Sequence, residues 1–143
     1  MTTFKNMKEL EKYINQQAKK AMNQGNAVKK TVMETGQKHV KEDVYDVYTP
    51  DPTNPRSYKR TGKLATSWDS SPTADGIEIF NTREDDGKYI PEIIETGQGY
   101  SYDFEYKGKP RPFLANTKKE LNGSKKLTDA LEKDLNNIGI KTN

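Results

Sequence analysis

The residues of this chain most suggestive of chemistry are a Gly-Lys pair, a set of acidic side chains and one histidine. Thr61-Gly62-Lys63 looks like part of a phosphate-binding loop. That motif also needs a glycine five residues before Gly62 and a serine or threonine after the lysine, where this chain has Ser57 and Leu64. We therefore reject nucleotide binding and interpret Gly62 as a tight turn, with Leu64 and Trp68 pointing into a core.

The acidic candidates lie among mixed charges, a pattern typical of exposed positions. General acid catalysis needs a buried carboxyl group whose pKa is raised beside a partner, which this pattern does not predict. We therefore expect that this protein is not an enzyme and that it has no catalytic residue. The four acids are Asp85, Asp86, Glu92 and Glu95.

The single histidine and the absence of cysteine limit the possible cofactors. His39 is followed by Val40 and Val44, and a lone histidine in such a helix is more often packed or exposed than a ligand. Without cysteine the chain has neither disulfides nor thiolate metal sites. We predict no metal and no cofactor.

An aromatic run near the end of the middle region alternates with polar residues, which predicts a strand. With the basic residues that follow, it also fits a stacking platform for single-stranded nucleic acid. We prefer one packed face of a strand, because four aromatic residues on the same face suit a core. The aromatics are Tyr100, Tyr102, Phe104 and Tyr106, and the basic residues are Lys107, Lys109 and Arg111.

The composition predicts one polar domain spanning residues 1–143 with a thin core. Hydrophobic and charged residues each make up 31%, and the mean hydropathy is -1.08. Because a chain with few apolar residues often completes its core in an oligomer, we expect contacts between copies. No apolar run is long enough for a membrane span and the N-terminus is not a signal peptide, so we expect a soluble protein made in a cytoplasm.

Charge is distributed unevenly along the chain. Residues 1–63 contain 13 basic and 7 acidic residues, whereas residues 64–143 contain 11 and 14. This asymmetry suits a protein whose two ends meet different partners, or whose copies pack head to tail. Ordinary scatter of surface charge remains an equal alternative. A basic nucleic-acid-binding accessory protein is the alternative function that the N-terminal half favours.

The order of predicted elements indicates an α+β fold. Apolar residues at spacings of three and four predict a long N-terminal helix, with Thr2 or Thr3 as its cap and a weak point at residues 23–26. An antiparallel sheet follows, which begins with a predicted pair of strands at residues 64–70 and 77–80. A short helix is embedded in it at residues 90–96, and a C-terminal helix packs on one sheet face. Prolines predict a loop at about residues 48–60, and we expect residues 139–143 to be flexible.

Three segments occur in a recognisable order. They are Arg60-Thr61-Gly62-Lys63-Leu64-Ala65-Thr66-Ser67-Trp68, then Tyr89-Ile90-Pro91-Glu92-Ile93-Ile94-Glu95-Thr96-Gly97, and finally Lys109-Pro110-Arg111-Pro112-Phe113-Leu114. Their order and separation resemble the tail-component family of long-tailed bacteriophages, minor structural proteins of the neck between head and tail. The chain departs from that family in its proline-rich insertion at residues 45–58 and in Gly123 of the closing helix.

The resemblance implies a head-tail connector, or tail-completion protein, of the virion neck, made in the bacterial host cytoplasm. Its implied partners are copies of itself in a ring and the adjacent neck, head-completion and tail tube or terminator proteins. DNA in the channel lumen is a further candidate contact, without sequence specificity, and no membrane is implied.

The same resemblance gives Glu95 a role as structural acceptor or as an interface ion-pair partner of Arg60 or Arg111. The predicted interface residues are Tyr48, Asp51, Arg56, Tyr58, Arg60, Arg83, Asp85, Asp86, Lys88, Glu95 and Arg111. The predicted structural residues of the motifs are Gly62, Leu64, Trp68, Tyr89, Gly97, Pro112, Phe113 and Leu114.

Overall fold

A computed structural model of the chain describes residues 5–50, 53, 60–74, 76–101 and 103–141. Within these ranges the chain forms helices and two small antiparallel sheets, which confirms the α+β class. The predicted proline-rich loop lies mostly outside the described residues, as do Asp51, Arg56, Tyr58 and Tyr102.

The N-terminal region consists of two helices, α1 (Met7–Gln24) and α2 (Ala27–His39). The break between them falls at the predicted weak point. Thr2 and Thr3, the predicted caps, lie outside the described residues. The side chain of Asn6 caps α1 in the structure by accepting a hydrogen bond from the Glu9 amide at 3.0 Å.

Helix α2 continues into a π-helical turn, Val40–Tyr45, in which Val40 and Val44 are buried. The amide of Asp46 closes this turn by donating to the carbonyl of Lys41 at 2.8 Å. Such turns interrupt the ordinary helical period, and here the turn ends at Tyr45, three residues before Tyr48.

The middle region begins with a one-turn helix, α3 (Lys63–Thr66), where a strand was predicted for Leu64. Gly62 has a φ of 78° and starts this turn. Strands β1 (Trp68–Pro72) and β2 (Ile77–Asn81) then pair antiparallel, with Trp68 opposite Asn81. The prediction of a strand at residues 77–80 is confirmed, and that of a strand beginning at Leu64 is wrong.

A second hairpin, β3 (Glu84–Asp85) with β4 (Lys88–Tyr89), leads directly into α4 (Ile90–Thr96). Pro91 lies in the first turn of α4, where its missing amide hydrogen is tolerated. Gly97 ends the helix with a φ of 75°, so the embedded short helix and its glycine stop are both confirmed.

The strand predicted for residues 100–106 is wrong, since its described residues form bends and turns. The amides of Lys107 and Lys109 donate to the carbonyls of Phe104 and Tyr106, which folds this segment back on itself. Neither of the described sheets includes a strand from this segment. The alternation of aromatic residues therefore reflects ring packing around Arg111 rather than a sheet face.

The C-terminal region has two helices, α5 (Phe113–Asn122) and α6 (Lys126–Asn137). Both pack mainly against α2, and α6 also packs against α1, so the principal partner of the C-terminal helices is a helix pair and not a sheet face. The sheets are too small, at two strands each, to cover two helices. The buried core combines Val40, Val44, Leu64, Ile94 and Phe113.

Candidate functional site

The three sequence segments converge on one region of the fold. Leu64, Ile94 and Phe113 each come from a different segment and share one buried cluster with the π-helical turn. Trp68 packs against that cluster, and its ring lies so close to α2 that a Cβ at Gly36 would stand 2.6 Å from it. The predicted core positions of Leu64 and Trp68 are confirmed.

Backbone contacts join the second segment to the third and to the residue just before it. The amide of Gly108 donates to the Gly97 carbonyl at 2.7 Å, and the amide of Arg111 donates to the Ile94 carbonyl at 3.0 Å. A Cβ at Gly97 would lie 2.5 Å from the Lys109 backbone. Gly97 is thus required both by its left-handed conformation and by this close approach.

Glu95 links the second segment to the third through its carboxylate. Its two oxygens accept hydrogen bonds from the amides of Leu114 and Ala115, at 2.8 and 3.0 Å. These amides lie in the first turn of α5, where helix geometry leaves them without intrahelical partners and where negative charge is favourable. The role of Glu95 as a structural acceptor is confirmed, and the described ion pairs include none from it to Arg60 or Arg111.

Arg111 lies at the centre of an aromatic cluster. Its guanidinium carbon is 4.8 Å from the ring centre of Tyr106, 5.8 Å from Phe104 and 6.0 Å from Tyr48. Its Nη2 donates to the hydroxyl of Tyr100 at 2.8 Å. Cation–π contacts of this kind become stronger where the cation is removed from water.

Arg60 binds the backbone at the C-terminal end of the π-helical turn and just beyond it. Its guanidinium donates to the carbonyls of Tyr45 and Tyr48, at 3.2 and 2.6 Å, and lies 4.2 Å from the centre of the Tyr45 ring. Both arginines thus contact Tyr48, just beyond the π-helical turn.

A cavity of about 630 Å³ opens beside these arginines. Such a volume lies in the range of ligand-binding clefts, and hydrophobic residues of α4 and the core form part of its wall. Of the predicted interface residues that the structure describes, all but Glu95 line this cavity, although their role as contacts stays a prediction. They are Tyr48, Arg60, Arg83, Asp85, Asp86, Lys88 and Arg111.

The hairpin residues of the cavity are largely exposed. Arg83 lies 3.7 Å from Asp85, and Asp86 has a φ of 51° at the hairpin tip. Lys88 reaches the carbonyl of Gly99 at 3.5 Å. Tyr89 is not among the described residues that line the cavity, and its hydroxyl donates to the carbonyl of Asn81 at 2.7 Å, which suits the predicted structural role.

The N-terminal end of α5 agrees with the prediction that Pro112-Phe113-Leu114 begins a helix. Pro112 precedes the first residue of the helix, Phe113 is fully buried, and Leu114 packs against the core cluster.

Sequence reasoning missed a charged cluster that joins α2, α5 and α6. Glu120 accepts hydrogen bonds at 2.6 Å from Lys38 and from Lys126, and His39 Nε2 lies 3.1 Å away. The hydrogen bonds from Lys126 and Lys38 lower the pKa of Glu120 to about 2. His39 Nδ1 also lies 2.7 Å from Asp43, so this histidine is a packed hydrogen-bonding residue, as we predicted.

Asp134 was also missed, although its position carried a usable signal. It occurs among the apolar residues of α6 at helical spacing, one turn after Ala130, which predicts burial of a carboxylate. Its side chain is buried and accepts hydrogen bonds from the amides of Ala27 and Val28, both at 2.9 Å. It therefore caps α2, which has no side-chain cap of its own.

The described residues form neither a candidate metal centre nor a candidate membrane-spanning helix. These residues include no cluster of three or more histidine, cysteine or acidic side chains placed to bind a metal ion. None of their helices has both the length and the hydrophobicity needed to cross a bilayer.

Comparison with known proteins gives the family. Residues 6–137 match the family YomN. The chain is also 40% identical over 142 residues to the SPbeta prophage-derived uncharacterized protein YomN of Bacillus subtilis (strain 168), covering 96% of this chain and 98% of that protein. The chain belongs to the YomN family.

The match to the YomN family includes every residue that lines the cavity and all three motif segments. The prophage-derived relative supports a phage origin for this chain. The expectation of a phage protein is therefore confirmed at this coarser level. No solved structure matches the chain.

Proposed function

We propose that this chain is a structural protein of the phage neck, which connects the DNA-filled head to the tail as a subunit of a ring. The observation that supports it best is the convergence of the three motif segments on one buried cluster, in a chain of phage origin. Leu64, Ile94 and Phe113 hold that cluster together, so the motifs act as a scaffold rather than as a catalytic centre.

The surface of α1 supports contacts with further copies or with neighbouring neck proteins. Met7 is 76% exposed and Ile14 is 55% exposed, although both belong to the apolar stripe of the helix. Met7 and Ile14 lie two turns apart on one face of α1, and we propose that a partner protein covers this face. The partners we propose are copies of this chain and the adjacent head-completion and tail proteins.

The first experiment is electron microscopy of lysates from a phage that lacks this gene. We expect filled heads and separate finished tails, because a connector joins two structures that assemble independently. Supplying the wild-type gene from a plasmid should restore joined particles, which controls for effects on neighbouring genes. Normal infectious particles in the absence of the gene would contradict the proposal.

DNA affinity separates this proposal from the nucleic-acid-binding alternative. A connector should bind free duplex DNA weakly. An accessory protein that neutralises several phosphates should lose affinity steeply as the salt concentration rises. Tight, strongly salt-dependent binding to duplex DNA, together with normal particles from the deletion, would favour the alternative.

A further inference from the structure

Arg111 is buried without a counterion in the described structure. The residue is 6% exposed, its Nε has no hydrogen-bond partner, and none of the ion pairs among the described residues includes it. Tyr100 supplies one acceptor, and the aromatic rings supply only cation–π contacts. A buried cation in this condition is unfavourable unless another group pairs with it.

The cavity beside Arg111 carries an excess of positive charge. Among the described residues, five basic ones line it, against three acidic ones. Two of the three acids already have basic neighbours, because Asp85 lies near Arg83 and Asp103 accepts a hydrogen bond from Lys107 at 2.9 Å. The basic residues of the lining are Arg60, Lys63, Arg83, Lys88 and Arg111.

Another part of the lining is suited to apolar side chains. Leu64, Ile90, Ile93 and Ile94 contribute aliphatic surface to the same cavity. A ligand that fits this lining has an anionic group for the guanidinium and an apolar group beside it. Arginine prefers planar carboxylate or phosphate groups, which its parallel N–H groups bind in pairs.

We propose that this cavity binds a short peptide segment of a partner protein, with an acidic side chain paired to Arg111 and a neighbouring apolar side chain on the α4 wall. A peptide fits better than a nucleic acid strand, which carries a phosphate on every nucleotide and would place some against Asp85 and Asp86. A peptide carries its charge at one residue, and its backbone amides can donate to those aspartates. The inference goes beyond the connector role and does not depend on it.

The test uses the full chain labelled with ¹⁵N and four capped pentapeptides. Each of the four peptides has a central Asp with Leu or Phe on either side. Four matched control peptides have Asn in place of this Asp. We expect the Asp peptides to shift the amide resonances of Thr61, Gly99 and Ser101, which line the cavity. Since hydrogen bonds to charged groups are strong, the Asn peptides should bind at least about tenfold more weakly.

Three results of this titration would overturn the proposal. They are the absence of binding by all four Asp peptides, equal affinity for the Asp and Asn peptides, and displacement of bound Asp peptide by a short oligothymidylate that shifts the same amides. The last result would assign the cavity to single-stranded nucleic acid.

The variant Arg111→Met separates recognition from folding. Methionine keeps much of the length of the side chain but removes the unpaired charge, so the thermal midpoint should change little while peptide binding is lost. Retained binding by folded Arg111→Met would overturn the proposal.

The exposed double variant Lys63→Glu/Lys88→Glu provides a second test if Arg111→Met does not fold. It reverses two charges of the cavity rim without altering a buried residue, so it should weaken binding of the Asp peptides by at least about tenfold. Unchanged affinity in this variant would contradict the proposal. Lys118→Glu/Lys119→Glu is the matched control, because both residues are exposed on α5 and neither lines the cavity.

Discussion

At the scale of single residues, two carboxylates stabilise helices to which they do not belong. Glu95 of α4 accepts from the first amides of α5, and Asp134 of α6 accepts from those of α2. A side chain that caps a helix from its own sequence is recognisable from local spacing. Glu95 and Asp134 lie many residues away in sequence from the amides that they bind, so local spacing does not reveal either contact. A structural role was predicted only for Glu95, from the family resemblance.

We expect Glu95→Ala to lower the free energy of unfolding by about 1–2 kcal/mol, the usual effect of losing a helix N-cap. The measurement is urea denaturation followed by circular dichroism. Glu92→Ala is the matched control, because Glu92 is exposed on the same helix, and it should change stability by less than about 0.5 kcal/mol. Equal effects of the two substitutions would show that the contacts to Leu114 and Ala115 contribute nothing specific.

Gly25 and Asp134 should show strong coupling in a double-mutant cycle. A Cβ at Gly25 would lie 2.1 Å from Oδ1 of Asp134, so Gly25→Ala displaces the carboxylate from the amides of Ala27 and Val28. We expect Gly25→Ala and Asp134→Ala each to lower the free energy of unfolding by about 1–3 kcal/mol. The double variant should resemble Asp134→Ala alone, because the obstructing carboxylate is then absent. Additive effects would refute this coupling.

At the scale of elements, most helices follow from the sequence, whereas the residues around Arg111 do not. Periodicity predicts α1, α2 and α6, and Gly97 predicts the end of α4. Aromatic alternation at residues 100–106 predicts a strand, but a strand also needs a partner with free backbone groups. Nothing in a local pattern shows that the rings surround an arginine instead, because that depends on the approach of distant segments.

The Glu120 cluster should make the joint between α2, α5 and α6 sensitive to acid. Hydrogen bonds from Lys126 and Lys38 lower the pKa of Glu120 from 4.5 to about 2, so folding favours the ionised form. Its contribution to stability is therefore complete above about pH 4.5 and is lost as the pH falls towards 2. We expect the urea midpoint of the wild type to fall more between pH 5 and pH 3 than that of Glu120→Gln.

The control for the acid experiment is Glu11→Gln on α1. Glu11 is exposed and lies outside the cluster, so its variant should retain the pH dependence of the wild type. If Glu120→Gln lost as much stability as the wild type over the same pH interval, the cluster would not be the source of the effect.

At the scale of the whole molecule, the polar composition correctly indicates a thin core. The main cluster consists of five buried residues, and much of α1 lies outside it. The sequence predicts the class of fold and marks the three segments, whereas their convergence on one cluster is seen only in the structure. The cavity arises because the hairpin, α4 and the π-helical turn approach one another, and no local pattern specifies those distances. The phage origin follows from the family, not from the geometry.

The exposed apolar residues of α1 allow a test of assembly within the particle. We expect Ile14→Glu to leave the isolated protein folded, because Ile14 is 55% exposed, but to reduce complementation of the deleted gene by at least about tenfold in plaque titre, since a charge in an apolar interface core is strongly unfavourable. Asn15→Glu is the control, because it introduces the same residue at the next, exposed position of the same helix. If both variants complement like the wild type, this face of α1 is not a contact in the virion. If both fail equally, added charge on α1 is harmful in itself and the apolar stripe has no special role. Loss of titre by Ile14→Glu alone, with separate heads and tails in the micrographs, would identify the stripe as a contact needed for joining.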